Sequence, residues 1–488
     1  MRKSGILMHI SSLPGPFGIG TMGKTAYEFV DFLCAAGQSY WQILPLSPTG
    51  YGDSPYQAFS AFAGNQYLID PELLRQQGLL TGEELASFDW GADDRVDYGK
   101  LYQQREKLLR LAFDRFQPDS AYQSFLSNNP WIEDYALFMA LKVHFGDQSW
   151  HSWPVPLLMH TKAALDAYSR ELEVDVRFRY FVQYQFHQQW HALKKYANDR
   201  GIRIVGDVPI YVPLDSADVW ANPELFLLDD NRRPQMVAGC PPDSFSADGQ
   251  LWGNPLYDWD KMRQTDYRWW IQRLQAAVEM YDVVRLDHFR GFESYWAIPA
   301  GNTTAINGKW MPGPGVDFIR AMHKAFPDKT FIAEDLGFVT EEVKQLQLQS
   351  GYPGMKVLEF AFDSREDGNY LPHLYPENSV CYTGTHDNAT LKQWFDDADA
   401  VDVEYARAYL GLHETEGYVW GMIRGAMSSV SKLCVVQMQD YLQLGGEARM
   451  NTPGVLSANN WSWRAKPGFA TPALAEKIRE ITGLYGRL

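Results

Sequence analysis

Trp-Trp-Ile-Gln-Arg-Leu-Gln-Ala-Ala-Val-Glu-Met-Tyr-Asp-Val-Val-Arg-Leu-Asp (269–287) contains one complete unit of the fold. A helix starting near Thr265 and Asp266 carries Trp269, Ile271 and Leu274, and leads into a short apolar run, Val283 to Asp287, that ends on an acid. The unit recurs outward in both directions. Val316 to Phe326 reads as a helix stopped by Pro327, and gives the run Phe331 to Asp335. Upstream, a helix to about Ala197 meets Gly201 and then Ile202 to Val208. Thr25 to Gln38 reads as a helix with a Thr25–Glu28 capping box and Gly37 as its stop, followed by Trp41 to Leu46. Met355 to Ala361, Val380 to Thr385, Cys434 to Gln439 and Gly5 to Ile10 complete eight strand-like runs.

Near-continuous apolar strands alternating with helices indicate a parallel sheet covered on its outer face. Eight of them favour an α/β fold of the closed (β/α)8 TIM-barrel type over an open sheet. No glycine-rich nucleotide fingerprint follows any of the runs. The 155 residues between Leu46 and Ile202 far exceed the roughly 30 of a βα unit. Large insertions are therefore expected after strands 2 and 3, on the C-terminal face where barrel active sites are built. The expected organisation is one catalytic domain over 1–488, a mostly helical insertion over 52–200, and a second insertion over 209–264. The last strand is followed by an ordinary helix, so no C-terminal β-sandwich is expected.

The chain has 488 residues, 44 Lys+Arg against 60 Asp+Glu and a formal charge of −16. An acidic surface repels phosphate backbones, so no nucleic-acid partner and no anionic-membrane partner is expected. Four widely spaced cysteines without a CxxC pair suit a reducing compartment. The run Gly5 to Ile10 is too short for a signal-peptide core, and no stretch approaches the length of a membrane helix. The expectation is a soluble cytoplasmic protein. Aromatics form 14% of the chain, enough to fill a core and also to line a groove.

Asp207, Asp287, Glu334 with Asp335, Asp387 and Asp440 each close a strand-like run. In a barrel this gathers carboxylates around one mouth, where like charges are unfavourable unless a function uses them. Arg285 and Asp287 are two apart on one strand and point to one face, and the cation favours an ionised Asp, as a nucleophile requires. Glu334 and Asp335 point to opposite faces. One ionised and one protonated carboxyl are the equipment of a glycosidase. A single strand-end Asp is as readily a helix cap; several around one barrel favour a site.

Val-Arg-Leu-Asp-His-Phe-Arg-Gly (284–291), Ala-Glu-Asp-Leu-Gly (333–337) and Gly-Thr-His-Asp-Asn (384–388) resemble the fourth, fifth and seventh strand motifs of the α-amylase clan. Thr-Gly-Tyr-Gly-Asp-Ser-Pro-Tyr-Gln (49–57), Gly-Asp-Val-Pro-Ile-Tyr-Val (206–212), Leu-Trp-Gly-Asn-Pro-Leu-Tyr (251–257) and Glu-Ala-Arg-Met-Asn (447–451) resemble the amylomaltase, or 4-α-glucanotransferase, family, glycoside hydrolase family 77. The resemblance runs from about Leu7 to Trp463. It implies Asp287 as nucleophile, Glu334 as general acid/base and Asp387 as transition-state stabiliser. It implies sugar contacts for Tyr56, Asp207, Arg285 and His386, acceptor-side contacts for Gln250 and Trp252, and further substrate contacts for His288, Phe360 and Asn451. Tyr51 and Tyr98 would hold a second glucan away from the catalytic centre. The implied partners are malto-oligosaccharides and α-1,4-glucans. Two positions depart from the pattern: the first-strand motif His-Ile-Ser-Ser-Leu-Pro-Gly (9–15), and Ala389 where an acid is common.

Transfer rather than hydrolysis requires the acceptor to outcompete water, which aromatic platforms and a covering loop promote by desolvation. Trp252 within the Gly/Pro/Asn-rich stretch Gly239 to Pro255 has the composition of such a lid. A hydrolase of the same clan and a catalytically silent glucan-binding protein are the alternatives; the joint presence of Asp287, Glu334 and Asp387 argues against the second. His187 and His191, four apart on a helix, lack a metalloprotease Glu and read as a solvated face, so no metal and no cofactor is expected. Trp269, Trp270 and Trp296 read as core.

Overall fold

The computed structural model describes residues 2–242, 246–364 and 370–488. Eight parallel strands close into a barrel: Lys3–Leu7, Tyr40–Gln42, Arg203–Val208, Val283–Leu286, Thr330–Ala333, Gly354–Val357, Ser379–Tyr382 and Leu433–Gln437. They lie in chain order around the barrel, with the first strand paired to the eighth from Lys3↔Leu433 to Leu7↔Gln437. Each overlaps one of the eight expected runs, and in all but the third the residues at the end of the run leave the ladder at the mouth. Successive side chains face opposite ways. Val205, Val283, Ile332, Met355, Val380 and Val435 fill the barrel interior. Ile204, Val284, Phe331, Cys381 and Cys434 face the surrounding helices. Burial on both faces is why the runs read as continuously apolar. Gly206 faces outward, where a Cβ would lie 2.1 Å from the Tyr281 ring, so the helix Arg268–Met280 can end close against the third strand.

The first helix, Lys24–Ala35, corrects the expected capping box. It starts one residue before Thr25, its N-cap is Gly23, and no side chain caps it. Asp70 occupies that space: its carboxylate would sit 1.9 Å from a Cβ at position 23, and it accepts from Thr21 Oγ1 at 2.6 Å. The same carboxylate caps the helix Pro71–Gln76, accepting from Leu73 N at 3.0 Å. Glu28 pairs with Lys24 at 3.5 Å instead.

Between the second and third barrel strands the described residues form helices and no strand, ending in the 27-residue helix Glu173–Asp199 that leads into the third strand. His187 on that helix is buried against Phe125, Trp131 and Phe186, which corrects the solvated-face reading. Burial lowers its pKa to about 3, so it is neutral. His191 is exposed. After the third and fourth barrel strands, four further strands form an antiparallel sheet in the order Gln250–Pro255, Met236–Cys240, Ser294–Pro299, Lys309–Pro312. Trp252 therefore lies on a strand rather than in a loop. The register shift between Val237 and Gly239, with Gly253 at φ 79°, bulges that strand. Past the eighth strand the described residues hold short helical turns and then the helix Pro472–Leu484, with no further strand. No described helix is long and apolar enough to cross a membrane.

Candidate active site

Strand alternation decides which mouth residues face inward. Val205, Val283 and Ile332 point inward, so Asp207, Arg285, Asp287 and Glu334, at even spacings from them, point inward too. The ladder carries the fourth and fifth strands in step: Leu286 pairs with Ala333, and Glu334 N donates to Leu286 O at 3.0 Å. Asp287 and Glu334 are thereby neighbours across adjacent strands.

One guanidinium holds two of these acids. Arg285 Nη1 donates to Asp207 Oδ1 and Oδ2 at 2.9 and 2.7 Å, and to Asp287 Oδ1 at 2.9 Å. The Asp207 side chain is 1% exposed and that of Asp287 27%, so Asp207 anchors the arginine while Asp287 faces the cleft. Glu334 is aimed by the backbone: Oε2 accepts from His288 N at 2.7 Å, and Oε1 from Leu336 N at 2.9 Å. His288 takes a left-handed conformation, φ 50°, to present that N–H.

Burial pushes the Asp287 carboxyl up to about 8 against the pull of Arg285. It also raises Glu334, against Arg285 and the two N–H donors. The acids interact, so the protons leave the pair rather than either residue alone. Arg285 bonds Asp287 directly, and no cation pairs with Glu334 among the described residues, which favours charge on Asp287 and the proton on Glu334. Burial lowers His386, and takes His288 to about 3, so both rings are neutral at neutral pH.

The third acid enters from the loop after the seventh strand. Asp387 Oδ1 accepts from Asn451 Nδ2 at 2.7 Å and lies 3.4 Å from His386 Nε2; its side chain is 43% exposed. Arg449 fastens both segments: Nη2 donates to Asp387 O at 2.7 Å and Nε to Asn451 O at 2.8 Å. The Tyr56 ring stacks on His386 with centroids 5.1 Å apart and planes 13° apart, and its hydroxyl donates to Asp207 Oδ2 at 2.7 Å. Trp461 closes this wall, 5.8 Å from Tyr56 and 5.9 Å from His386. Opposite, the Trp252 ring meets His288 edge-on at 4.8 Å, and its N–H donates to Gln250 Oε1 at 3.0 Å.

Tyr98 donates its hydroxyl to Trp461 O at 3.0 Å and so braces the wall from behind. The side chain of Tyr51 lies outside the described part of the structure. Phe360 packs against the same inner cluster as Tyr56 and Trp461, with its ring 5.4 Å from Tyr370. Asp335 points outward and accepts from Met355 N at 2.7 Å. Asp440 accepts from Thr383 Oγ1 and Leu391 N, both at 2.7 Å. These two acids hold neighbouring strands and loops together, the structural reading of a strand-end carboxylate. Arg449 and Trp461 were missed as individual residues. Arg449 lies inside the quoted motif 447–451, but Trp461 carries no sequence signal beyond being a tryptophan in a Gly/Pro/Asn-rich segment.

A barrel mouth with an arginine-held aspartate, a neighbouring buried glutamate and a third aspartate across the cleft defines a carbohydrate-active enzyme of the α-amylase type. Residues 8–470 match the family model of glycoside hydrolase family 77, described as 4-alpha-glucanotransferase, and the chain belongs to that family. It is 48% identical to a 4-alpha-glucanotransferase of Clostridium butyricum, covering 98% of this chain and 100% of that one. It is 49% identical to one of Streptococcus pneumoniae serotype 4, covering 100% and 98%. An amylomaltase of Streptococcus agalactiae, solved in complex with acarbose, superposes with a TM-score of 0.97 at 41% identity over all of both chains.

Proposed function

We propose that this 4-alpha-glucanotransferase moves segments of α-1,4-glucans onto malto-oligosaccharide or glucose acceptors by double displacement with retention. The observation that carries it is the register of Asp287 and Glu334. Neighbouring strands are about 4.8 Å apart. Two inward carboxyls in step across them suit the roughly 5 Å of retaining enzymes, not the 6.5–9.5 Å that leaves room for water in inverting ones. In the first step Glu334 gives its proton to the glycosidic oxygen while an Asp287 oxygen bonds the anomeric carbon, so the C–O bond breaks and the shortened glucan leaves as an alcohol. In the second, Glu334 takes the proton of an acceptor hydroxyl, whose oxygen displaces Asp287. Asp387, open to the cleft and held by Asn451 and Arg449, is placed to accept from sugar hydroxyls. Tyr56, His386 and Trp461 supply a flat donor wall; Trp252, Gln250 and His288 face the acceptor. In the same reading, 1–488 acts as one catalytic domain, 52–200 and 209–264 are its insertions, Tyr51 and Tyr98 border a second glucan site, and the protein works in the cytoplasm.

Incubation with pure maltotriose separates this from hydrolysis. Transfer gives a ladder of longer oligomers plus glucose at constant reducing-end count; shorter products with rising reducing ends would sink it.

A further inference from the structure

The loop that follows Glu334 brings Phe338 against Trp310 on the outer strand Lys309–Pro312, with centroids 6.4 Å apart and planes 22° apart. Phe338 is 63% exposed and Trp310 37%. The rings are fixed from behind. Arg290, itself 3% exposed, sets its guanidinium carbon 3.8 Å from the Trp310 centroid and 5.9 Å from that of Phe338. It donates to Phe338 O and, at 3.0 Å, to Ser294 Oγ. Trp296 buttresses Trp310 edge-on at 5.1 Å and anchors its own N–H on Ala305 O at 2.8 Å.

Single exposed aromatics are ordinary. Here two near-parallel rings lie beside the active site, backed by a cation three residues from Asp287, while Phe338 is four residues from Glu334. Trp310 and the acceptor-side Trp252 sit on the two edge strands of one four-stranded sheet. Three strand spacings separate those edges, about 14 Å. A pyranose has apolar C–H faces and a polar rim, and it matches a flat ring whose edge stays wet. Rings already held by Arg290 and Trp296 lose little freedom on binding.

We propose that Trp310 and Phe338 form a remote binding platform for an α-1,4-glucan chain on the acceptor side, reached by long acceptors and not by glucose. This rests on the transfer reaction proposed above. The test uses one saturating maltotriose donor and two labelled acceptors, glucose and maltoheptaose. In the double variant Trp310→Ala/Phe338→Ala, the ratio of the maltoheptaose KM to the glucose KM should rise about two- to tenfold. Trp310→Tyr should restore most of it. An unchanged ratio, or a parallel loss with both acceptors, would overturn the platform. A wild-type protein that transfers to neither acceptor would instead overturn the underlying reaction.

Discussion

The two walls of the cleft that the proposed reaction assigns to donor and acceptor are built differently. On the donor side, Asp207, Arg285, Tyr56, His386 and Trp461 are buried or half-buried and tied to one another by hydrogen bonds and ring stacking. On the acceptor side, Trp252 lies on a bulged edge strand and touches His288 edge-on, and Phe338 is largely exposed. The wall proposed for the donor is tied together by its own contacts, as stabilisation of developing charge at the anomeric carbon requires. The acceptor side offers separate flat surfaces, which suits acceptors of differing length. The proposed reaction thus puts chemistry and selectivity on opposite walls.

The sharpest break of that division is at the acids. Asp287→Ala and Glu334→Gln should each reduce transfer by at least about 10⁴-fold with the melting temperature little changed, because both face the cleft rather than the hydrophobic core. Near-full activity in either would remove the chemistry from the donor wall. Next comes Arg449, which positions Asp387 through backbone carbonyls. Arg449→Ala should lower kcat about 100-fold while KM moves much less, and Arg449→Lys should recover part of it. A pure KM effect would make Arg449 a binding residue.

A smaller effect concerns pH. Asp207 contributes to the rise of Asp287 to about 8, and it also shares the Arg285 cation. Asp207→Asn removes a repelling charge and frees the guanidinium for Asp287, so the pair releases its proton at lower pH. The acid limb of residual kcat/KM, which ionisation of Asp287 sets, should move acidward by on the order of one pH unit. An alkaline shift would contradict the shared-cation arrangement.

The smallest effect lies away from both walls. His187 is buried neutral, with its pKa lowered to about 3 in the fold against about 6.5 unfolded. Its contribution is present above pH 6.5 and is lost as pH falls, because the unfolded chain binds the extra proton. At pH 5.5 the loss is on the order of 1 kcal/mol. Denaturant titrations of His187→Phe should show a correspondingly shallower acid decline, and an unchanged slope would place the lability elsewhere.

The eight strands were legible because a strand buried on both faces leaves a continuous apolar run, and the mouth because five of those runs close on acids. The four-stranded sheet was not. Its pairing joins Met236–Cys240 to Ser294–Pro299 across a barrel strand, and Gly, Asn and Pro interrupt its alternation. Thr25 does not cap the first helix because the chain enters it at Gly23, whose missing side chain leaves room for the Asp70 carboxylate from a distant segment. His187 read as solvated because the rings that cover it belong to other helices. Within the site, Asp287, Glu334 and Asp387 stood out by position in the repeat, whereas Arg449 acts through carbonyls and Trp461 from irregular backbone at φ 62°.

In the proposed reaction Asp287 carries the glucan between donor and acceptor. Brief incubation with a fluorinated α-glucosyl fluoride, which slows the second displacement, followed by proteolysis and mass spectrometry, tests it directly. The label should appear on the peptide containing Asp287 and be released by added maltose. A label on Glu334, on Asp387 or on no residue during turnover would contradict the account.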